Sequence, residues 1–540
     1  MTKRSTTPRS GIARLGALLV GSVLLSACLA GCGGGSTPRQ GDGRPAEEQA
    51  VGMVPGAPLV DPPDLNPATP GDLTVQLRVT EQDVMISGKK VRAETYNGSL
   101  VGPTLHAAPG QRVTLQLINE LGTPTNLHFH GLHVSPEGNS DNVYLSNQPG
   151  QTLTYQLDIP ADHAQGTYWY HAHEMCAGKG QSTHTMSMTD TPATARCDGT
   201  ESQVGAGLSG TIIVGDVRES LPAAYRGVTA HTLALKDTQI SKDNSIVYPE
   251  GVLEPRNPTV RLVNGQYQPT ITLKAGETQL WRIANEGYAI VYDLQLDGAT
   301  FTVVSEDGTP VAAPTQATHL LMPPGSRRDV LVTAGAAGST WLRTLPYVTG
   351  PPGGSGDEYP DTPLMKVDVA QSDTGPAATG PAGMAASPRI DGPIPGSLPD
   401  MSKEPVAQSR NLELNDNGES DFYINGKMFD HHSPTFTTPA TLGTVEEWTL
   451  TNISTHQNHP FHLHTAPFQV LSMNGVAPPS IDYKDVVNVP AAVDGVPGKV
   501  VIRIRFADYP GKWNFHCHVT GHEQNGMMGY MNVIAAGATG

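Results

Sequence analysis

This sequence has few long charged runs, no prominent basic patch and few stretches with the periodicity of an amphipathic helix. Only 16% of its residues are charged, and its formal net charge is -17. A nucleic acid is therefore not expected as a partner, because binding to phosphates requires clustered Lys and Arg side chains. The 46 prolines and 59 glycines instead favour many short strands joined by turns, so the sequence predicts a β-rich protein.

The chain of 540 residues is too long for one hydrophobic core and suggests about three domains of ~150 residues each. Alternating apolar residues predict strands that recur along the chain. These strands include residues 75–79, 113–117, 155–159, 211–214, 259–263, 271–273, 280–284, 294–296, 329–333, 448–452, 468–471 and 501–506. The expected division is a signal peptide at 1–32, a flexible tether at 33–70, domains at 71–215, 216–370 and 404–540, and a linker rich in Pro, Gly and Ala at 371–403.

Cysteine is scarce, and two of the five cysteines close the N-terminal leader. Basic residues precede an apolar run at 15–30, as in a secretory signal, and the run is short for a membrane span. Cys28 and Cys32 both end sequences that resemble a bacterial lipobox; we favour Cys32, and an ordinary signal peptide is the alternative. The protein is therefore expected to be exported to the periplasm or cell envelope with a lipid anchor. In an oxidising compartment, Cys176 and Cys197 are candidates for a disulfide.

The fifth cysteine lies in a C-terminal stretch, residues 511–530, that reads GKWNFHCHVTGHEQNGMMGY. Apolar residues alternate with polar ones up to Cys517, which predicts a β-strand. Successive strand residues point to opposite faces, so Cys517 faces one way while His516 and His518 face the other. A thiolate, two imidazoles and a weak thioether form an electron-transfer copper site, and Cys517, His522 and Met527 supply three of these four ligands. A buried free cysteine beside chance histidines is the alternative.

Three further sequence motifs also contain closely spaced histidines. In a strand, His-x-His places both imidazoles on one face. One such pair would be a weak signal, but four motifs together, one of them with Cys and Met at ligand spacing, are specific for a copper protein. The three motifs contain His128 and His130, His171 and His173, and His459, His462 and His464.

With these motifs, the chain resembles three-domain multicopper oxidases of the laccase and copper-efflux-oxidase type. The resemblance covers nearly everything after the tether, including residues 96–98, 102–104, Gln203 and residues 207–210. It implies an all-β fold of three cupredoxin-like Greek-key β-barrels. The cofactors would be four copper ions, three of them in a cluster between the first and third domains, and the middle domain would carry no copper.

The resemblance also implies a role for each ligand, motif by motif. The type 1 copper would be held by His459, Cys517, His522 and axial Met527. The type 2 copper would be held by His128 and His462. One type 3 copper would be held by His130, His171 and His518, and the other by His173, His464 and His516.

The implied activity couples one-electron oxidation of phenols or aromatic amines to the four-electron reduction of O2 to water. Cys517 would carry electrons, and Asp141 and Glu523 are candidates for the proton relay. The alternatives are that Asp141 caps a turn and that Glu523 is a solvated carboxylate. Axial Met527 implies a lower potential than that of the most oxidising laccases. O2 and a small electron donor are the expected partners of a monomeric enzyme.

The chain departs from simple laccases in an insertion between His173 and Gln203. Soft thioethers select Cu(I), so this loop could gather cuprous ions for oxidation. The alternative is a surface loop closed by a disulfide between Cys176 and Cys197. The residues concerned are Met175, His184, Met186 and Met188.

Three other functions are weighed against a laccase. A cuprous or ferrous oxidase is the rival within the family, favoured by Glu523, Met528 and the methionines of the insertion. A copper nitrite reductase fits poorly, because it would not need the paired histidines of a binuclear centre. A copper store needs no route from cysteine to histidine, so the His-Cys-His tripeptide argues against it.

Overall fold

The computed structural model describes residues 46–538 apart from 68, 176–198, 248–257, 353, 355, 372–382 and 419. The described chain is almost entirely β-structure, arranged in three consecutive regions. No helix among these residues has the length and apolar character that crossing a bilayer would require.

The first region contains eight strands and two short helices. They are α1 Ala46–Gln49, β1 Leu73–Ile86, β2 Lys89–Tyr96, β3 Gly102–Ala107, β4 Arg112–Asn119, β5 His128–His130, β6 Thr152–Asp158, β7 Gly166–His171, α2 Thr200–Ala206 and β8 Ser209–Val214. The strands form two sheets, in the orders β2-β1-β4-β6 and β3-β8-β7-β5. Apolar residues of both sheets, such as Leu77, Leu115 and Ile212, share one buried core.

The middle region begins with two 3-10 helices, Val217–Ser220 and Ala223–Tyr225. Its strands are β9 Thr229–Ile240, β10 Ile246–Val247, β11 Val260–Val263, β12 Thr270–Lys274, β13 Thr278–Asn285, β14 Tyr292–Leu296, β15 Phe301–Glu306, β16 Thr309–Ala317, β17 His319–Met322, β18 Arg327–Ala334, β19 Gly338–Thr344, β20 Tyr347–Val348, β21 Glu358–Tyr359, β22 Thr362–Ala370 and β23 Met384–Ala385. Two large sheets, in the orders β10-β9-β13-β18-β15-β16 and β12-β22-β19-β14-β17, enclose a core around Trp281.

The third region contains eleven described strands and one helix. They are β24 Gln408–Asp416, β25 Phe422–Ile424, β26 Ala440–Thr441, β27 Thr444–Asn452, β28 His459–Leu463, β29 Phe468–Met473, β30 Asp482–Lys484, β31 Val486–Val489, β32 Gly498–Phe506, β33 Gly511–Cys517, α3 Thr520–Gln524 and β34 Met528–Ile534. The sheet orders are β25-β24-β27-β32-β29-β30 and β26-β34-β33-β28-β31, and Trp448 and Phe515 lie in the core between them.

The three regions repeat one topology. Each contains one parallel strand pair in each of its two main sheets, whereas the neighbouring pairs are antiparallel. The parallel pairs are β1 with β4 and β3 with β8, then β9 with β13 and β12 with β22, and finally β24 with β27 and β26 with β34. Parallel neighbours cannot be joined by a tight hairpin, so each region contains crossover connections of the Greek-key kind.

The predicted strands are confirmed, since each overlaps a strand of the structure. The alternation is clearest in β4, where Val113, Leu115 and Leu117 are fully buried and their neighbours are partly exposed. Burying one such side chain contributes roughly 1.5–3 kcal/mol to stability, which explains why the pattern sets the orientation of the strand.

The predicted flexible tether is wrong for residues 46–67. The Gln49 side-chain amide donates to Pro258 O at 2.7 Å, and Leu59 N donates to Thr270 O at 2.8 Å. Leu65 N also donates to Thr104 O at 2.8 Å. The segment is rich in proline, but it forms hydrogen bonds with both the first and the middle region. The described part of the expected linker also packs, since Ile394 and Met401 are each 1% exposed.

Candidate metal centres

Ten histidines and one cysteine from the four sequence motifs lie in two buried clusters. The cysteine cluster contains His459, Cys517 and His522, whose ligand atoms all lie within 4.8 Å of one another. The histidine cluster contains the other eight imidazoles, each at most 1% exposed. These eight are His128, His130, His171, His173, His462, His464, His516 and His518.

Strand pairing brings the motifs together. In the first region β5 pairs with β7, so that His128 lies opposite His171. In the third region β28 pairs with β33, which places His462 opposite His516 and Phe461 opposite Cys517. Because side chains alternate along β33, Cys517 enters the cysteine cluster while His516 enters the histidine cluster.

The cysteine cluster has the geometry of a small soft-metal site. Cys517 Sγ lies 3.4 Å from His522 Nδ1 and 3.7 Å from His459 Nδ1. Met527 is fully buried, and its backbone carbonyl accepts a hydrogen bond from Cys517 N at 3.0 Å. Burial strongly raises the pKa of the Cys517 thiol. A thiolate at this position therefore requires a bound cation, as a copper site provides.

Outer contacts orient both imidazoles of the cysteine cluster. Asp416 Oδ2 lies 3.2 Å from His459 Nε2, and the side-chain amide of Gln457 lies 3.1 Å from His522 Nε2. Phe422 stacks on the His522 ring at 4.1 Å between centroids. Burial raises the pKa of Asp416, but interactions with His459 and Ser454 and a backbone hydrogen bond from Gly418 together outweigh burial and leave this pKa well below its ordinary range. These contacts hold the Nδ1 atoms towards the sulfur.

The imidazoles of the histidine cluster point their nitrogens at one another. His128 Nε2 lies 3.4 Å from His462 Nε2, and His464 Nε2 lies 3.0 Å from His516 Nε2. His130 Nδ1 lies 3.1 Å from His518 Nε2. Each of these pairs except the second joins the first region to the third. The cluster therefore lies where these two regions meet.

The donor set of the histidine cluster fits several copper ions. Burial, followed by the neighbouring imidazoles, lowers the pKa of His128 and His464 well below the ordinary value, and burial lowers that of His171 to about 3. These three rings are therefore neutral and offer lone pairs. His171 Nε2 and His518 Nδ1 are buried and have no hydrogen-bond partner among the described residues. Converging lone pairs of neutral imidazoles are the ligands that copper prefers.

Two buried carboxyl groups contact this cluster. Asp141 Oδ1 lies 2.9 Å from His128 Nδ1 and accepts a hydrogen bond from Phe129 N at 2.9 Å. Glu523 reaches two imidazoles, with Oε1 3.2 Å from His173 Nε2 and Oε2 3.1 Å from His516 Nδ1. Glu523 is only 5% exposed, so it is not a solvated carboxylate. Asp141 is 2% exposed and also contacts a ring of the cluster, which a simple turn cap would not do.

The environment displaces the pKa values of these two carboxyl groups in opposite directions. Burial raises the pKa of Asp141 to about 8. Burial also raises that of Glu523, but interactions with His173, His516 and His171, including a hydrogen bond with His516, together outweigh burial and bring this pKa to about 2. At neutral pH Asp141 can therefore hold a proton while Glu523 stays ionised, and carboxyl groups whose pKa values are displaced in opposite directions are found at sites of proton transfer.

The sequence prediction missed several side chains that contact the clusters. Asp485 Oδ1 lies 3.2 Å from His130 Nε2, and Asp416 and Gln457 contact the cysteine cluster. These residues lie in no ligand motif. For Asp485, the useful signal would have been the register of β31 against β28, which pairs Val486 with His462.

Several predicted residues lie outside the described part of the chain. Met175, at its edge, is half-buried. Cys517 is the only cysteine within the described residues. The predictions outside them concern Cys28, Cys32, Cys176, Cys197, His184, Met186 and Met188.

Comparison with known proteins finds a match to a multicopper oxidase family model in each of the three regions. Family models described as multicopper oxidase match residues 78–189, 229–351 and 400–536. The chain is 27% identical over 446 residues to the multicopper oxidase mco of Staphylococcus epidermidis, covering 81% of this chain and 83% of that protein. It is 26% identical over 495 residues to Laccase-1 of Botryotinia fuckeliana, covering 83% and 80%. A multicopper oxidase structure from Campylobacter jejuni, described as a metallo-oxidase, has a TM-score of 0.72 at 23% identity and covers 92% of this chain and 99% of that one.

Proposed function

The chain belongs to the multicopper oxidase family, copper-dependent oxidoreductases that use O2, and on this premise we propose that it is a laccase-like enzyme. Its reducing substrates are phenols or aromatic amines, oxidised one electron at a time, and O2 is reduced to water. The observation that carries this proposal is that Cys517 belongs to one cluster while the adjacent His516 and His518 belong to the other. A single tripeptide thus links electron entry to the place of oxygen reduction.

The proposed ligand roles follow the two clusters. His459, Cys517 and His522, together with Met527, would hold a type 1 copper. His128 and His462 would hold the type 2 copper, while His130, His171 and His518 would hold one type 3 copper and His173, His464 and His516 would hold the other. When bound, these four ions supply one-electron acceptance at type 1 and four-electron reduction of O2 to water at the other three. None of these proposed ligands lies in the middle region.

The chain's own groups provide the route between the clusters. Cys517 leads through its backbone to His516 and His518 on either side. In addition, His516 Nδ1 lies 3.1 Å from the carbonyl oxygen of Cys517, so a hydrogen bond shortens the path through bonds. The route lies in a buried strand, which excludes water from it.

Asp141 and Glu523 are the proposed proton donors and acceptors. Water formation consumes four protons for each O2, so groups that deliver protons must lie beside the histidine cluster. Asp141 contacts His128, and Glu523 bridges His173 and His516. The carboxyl oxygens of Asp141 and Glu523 lie 2.9–3.2 Å from imidazole nitrogens of the cluster, which is within the distance that proton transfer requires.

The proposed docking place for the electron donor is the rim of the cysteine cluster at His522. This ring is 5% exposed, whereas His459 and Cys517 are fully buried. Phe422 and Gln457 border it. An aromatic donor that contacts this exposed edge of His522 would lie directly beside a ligand of the cysteine cluster.

Oxygen uptake by the copper-loaded protein tests the proposed substrate class. The assay compares 2,6-dimethoxyphenol with Cu(I) held in a weak chelator. A second protein has residues 176–198 replaced by a short Gly-Ser linker, which fits because Thr200 N already donates to Glu174 O at 3.2 Å. We expect faster turnover of the phenol, unchanged by the replacement. Preference for Cu(I) that the replacement abolishes would instead identify a cuprous oxidase.

We also propose that the protein is exported as a monomer and anchored through a lipid on Cys32. Its three domains would comprise residues 71–215, 216–370 and 404–540. Mass spectrometry of the mature protein tests the anchor. A lipid-modified N-terminal Cys32 is expected, and its loss in Cys32→Ala but not in Cys28→Ala would identify the residue. An unmodified N-terminus would show an ordinary signal peptide.

A further inference from the structure

The middle region, although it supplies none of the proposed ligands, reaches the histidine cluster through a turn at residues 323–327. The turn is tightly fixed, since Ser326 N donates to Pro323 O at 3.1 Å and Gly325 N donates to Asn285 O at 2.9 Å. Gly325 has φ +88°, and a Cβ at this position would approach His130 Cε1 and His518 Cδ2 at 2.9 Å each. The turn thus touches one ligand from the first region and one from the third.

Arg327, at the end of this turn, joins all three regions. Its side chain is 1% exposed. Nη1 donates to Asp485 Oδ1 at 2.7 Å and Nη2 donates to Asp485 Oδ2 at 2.6 Å, a two-pronged contact with the third region. Nε donates to Thr167 O of the first region at 3.1 Å, and Nη1 also donates to Gly325 O at 2.9 Å. The guanidinium therefore has a fixed position and orientation.

Asp485, which Arg327 holds in place, contacts two imidazoles of the histidine cluster. Its Oδ1 lies 3.2 Å from His130 Nε2, which leaves Nδ1 of that ring for the cluster. Its backbone oxygen lies 2.8 Å from His462 Nδ1, which leaves Nε2 for the cluster. Carboxylate and carbonyl contacts to the outer nitrogen of a ligating histidine fix ring orientation and strengthen metal binding.

Gly131, next to His130 in the chain, packs closely against the ion pair of Arg327 and Asp485. Its φ is +84°, and a Cβ there would collide with both the Arg327 guanidinium and the Asp485 carboxylate. Only glycine allows the chain to pass the ion pair directly after presenting His130.

We infer that Arg327 and the 323–327 turn position His130, His462 and His518, so that the middle region is a structural part of the oxygen-reducing site and not only a spacer. The inference depends on the proposed assignment of these three histidines to type 2 and type 3 copper. Arg327 is a positioning residue, because it acts through Asp485.

The first test compares Arg327→Lys with Arg410→Lys. Lysine keeps the charge opposite Asp485 but loses the two-pronged contact. Arg410 is a matched control, since its buried guanidinium makes a similar contact with Glu446 at 2.6 and 2.8 Å and also donates to Thr438 O. Loaded proteins are dialysed against graded chelator, and copper content, blue absorption and the near-ultraviolet absorption of a coupled copper pair are recorded.

In Arg327→Lys we expect copper affinity in the histidine cluster to fall about 10- to 100-fold, with the blue absorption retained. Arg410→Lys should keep four coppers even if its melting temperature falls. If both variants lose thermal stability alike and retain the same copper, Arg327 has only a structural role and the inference is overturned.

A second pair of variants guards against misfolding of Arg327→Lys. Gly325→Ala and Gly276→Ala introduce the same methyl group at positive φ, +88° and +79°, but nothing lies within 4 Å of a Cβ at Gly276. Only Gly325→Ala should lose the absorption of the copper pair; retention of that absorption would contradict the inference. A wild-type protein that holds four coppers but oxidises no phenol would refute the proposed substrate alone.

Discussion

Replacing Glu523 with glutamine tests whether this carboxylate delivers protons for oxygen reduction. The change keeps the volume of the side chain and removes only its ability to ionise. The Glu523 oxygens lie 3.2 Å from His173 Nε2 and 3.1 Å from His516 Nδ1, within the reach of direct proton transfer. The amide can still hydrogen-bond to one of these rings, so the cluster should keep its shape and its copper.

The expected loss is set by what remains in the site. A positioned acid or base contributes typically about 10²–10⁴-fold to a rate. Asp141 stays beside His128 as a second proton group, so we expect the lower end, about 10²-fold in kcat, or about 2.7 kcal/mol in the activation barrier. The effect should fall on reoxidation by O2 and not on reduction by the phenol, because Glu523 contacts the histidine cluster.

Rapid mixing of reduced enzyme with O2 measures this step directly, and the blue absorption reports reduction separately. Glu174→Gln is the matched control, since Glu174 is also 5% exposed and adjoins His173 in the chain, but it accepts a hydrogen bond from Ser146. A Glu523→Gln enzyme with full copper that reoxidises at the wild-type rate would refute the proton role.

Three further outcomes are expected. Met527→Leu should raise the type 1 potential in a spectroelectrochemical titration, because the axial thioether is lost; an unchanged potential would exclude it as axial ligand. Chelation of copper should lower the melting temperature in calorimetry, because ligand at 1,000 times its Kd contributes about 4 kcal/mol; an equal melting temperature would argue against tight binding. Burial raises the pKa of Glu306, but Arg328 and Lys484 outweigh it and hold this pKa well below its ordinary range. Its stabilisation is complete above the unfolded pKa, near pH 4.3, and is lost on further acidification, so Glu306→Gln should lose less thermal stability than wild type between about pH 5 and pH 3. Equal losses would exclude this contribution.

The parts of the site that could be predicted are those whose spacing is local. His516, Cys517 and His518 are consecutive, so strand alternation alone assigns them to two faces. The position of strands such as β4 can be predicted from the same two-residue alternation of apolar and polar side chains. The contacts of Asp485 with His130 and Arg327 could not be predicted in this way, because they join residues from three regions. Their sequence separations of 355 and 158 residues leave no local pattern.

The segment at 46–67 illustrates a second limit. Its prolines and glycines predicted a tether, because composition reports the conformations that a chain allows locally. Its pairing with Thr104 and Thr270 depends on strand edges that other parts of the chain provide. Composition alone does not reveal such edges.

The distance along the chain between the two halves of the histidine cluster has a consequence for biosynthesis. His130 and His518 are in contact although 388 residues separate them, so the cluster cannot form until almost the whole chain has been synthesised. Contacts of such high sequence separation form slowly, because a large loop must close first. Metal incorporation should therefore be among the last steps of maturation. Truncated or nascent chains would therefore lack an assembled histidine cluster.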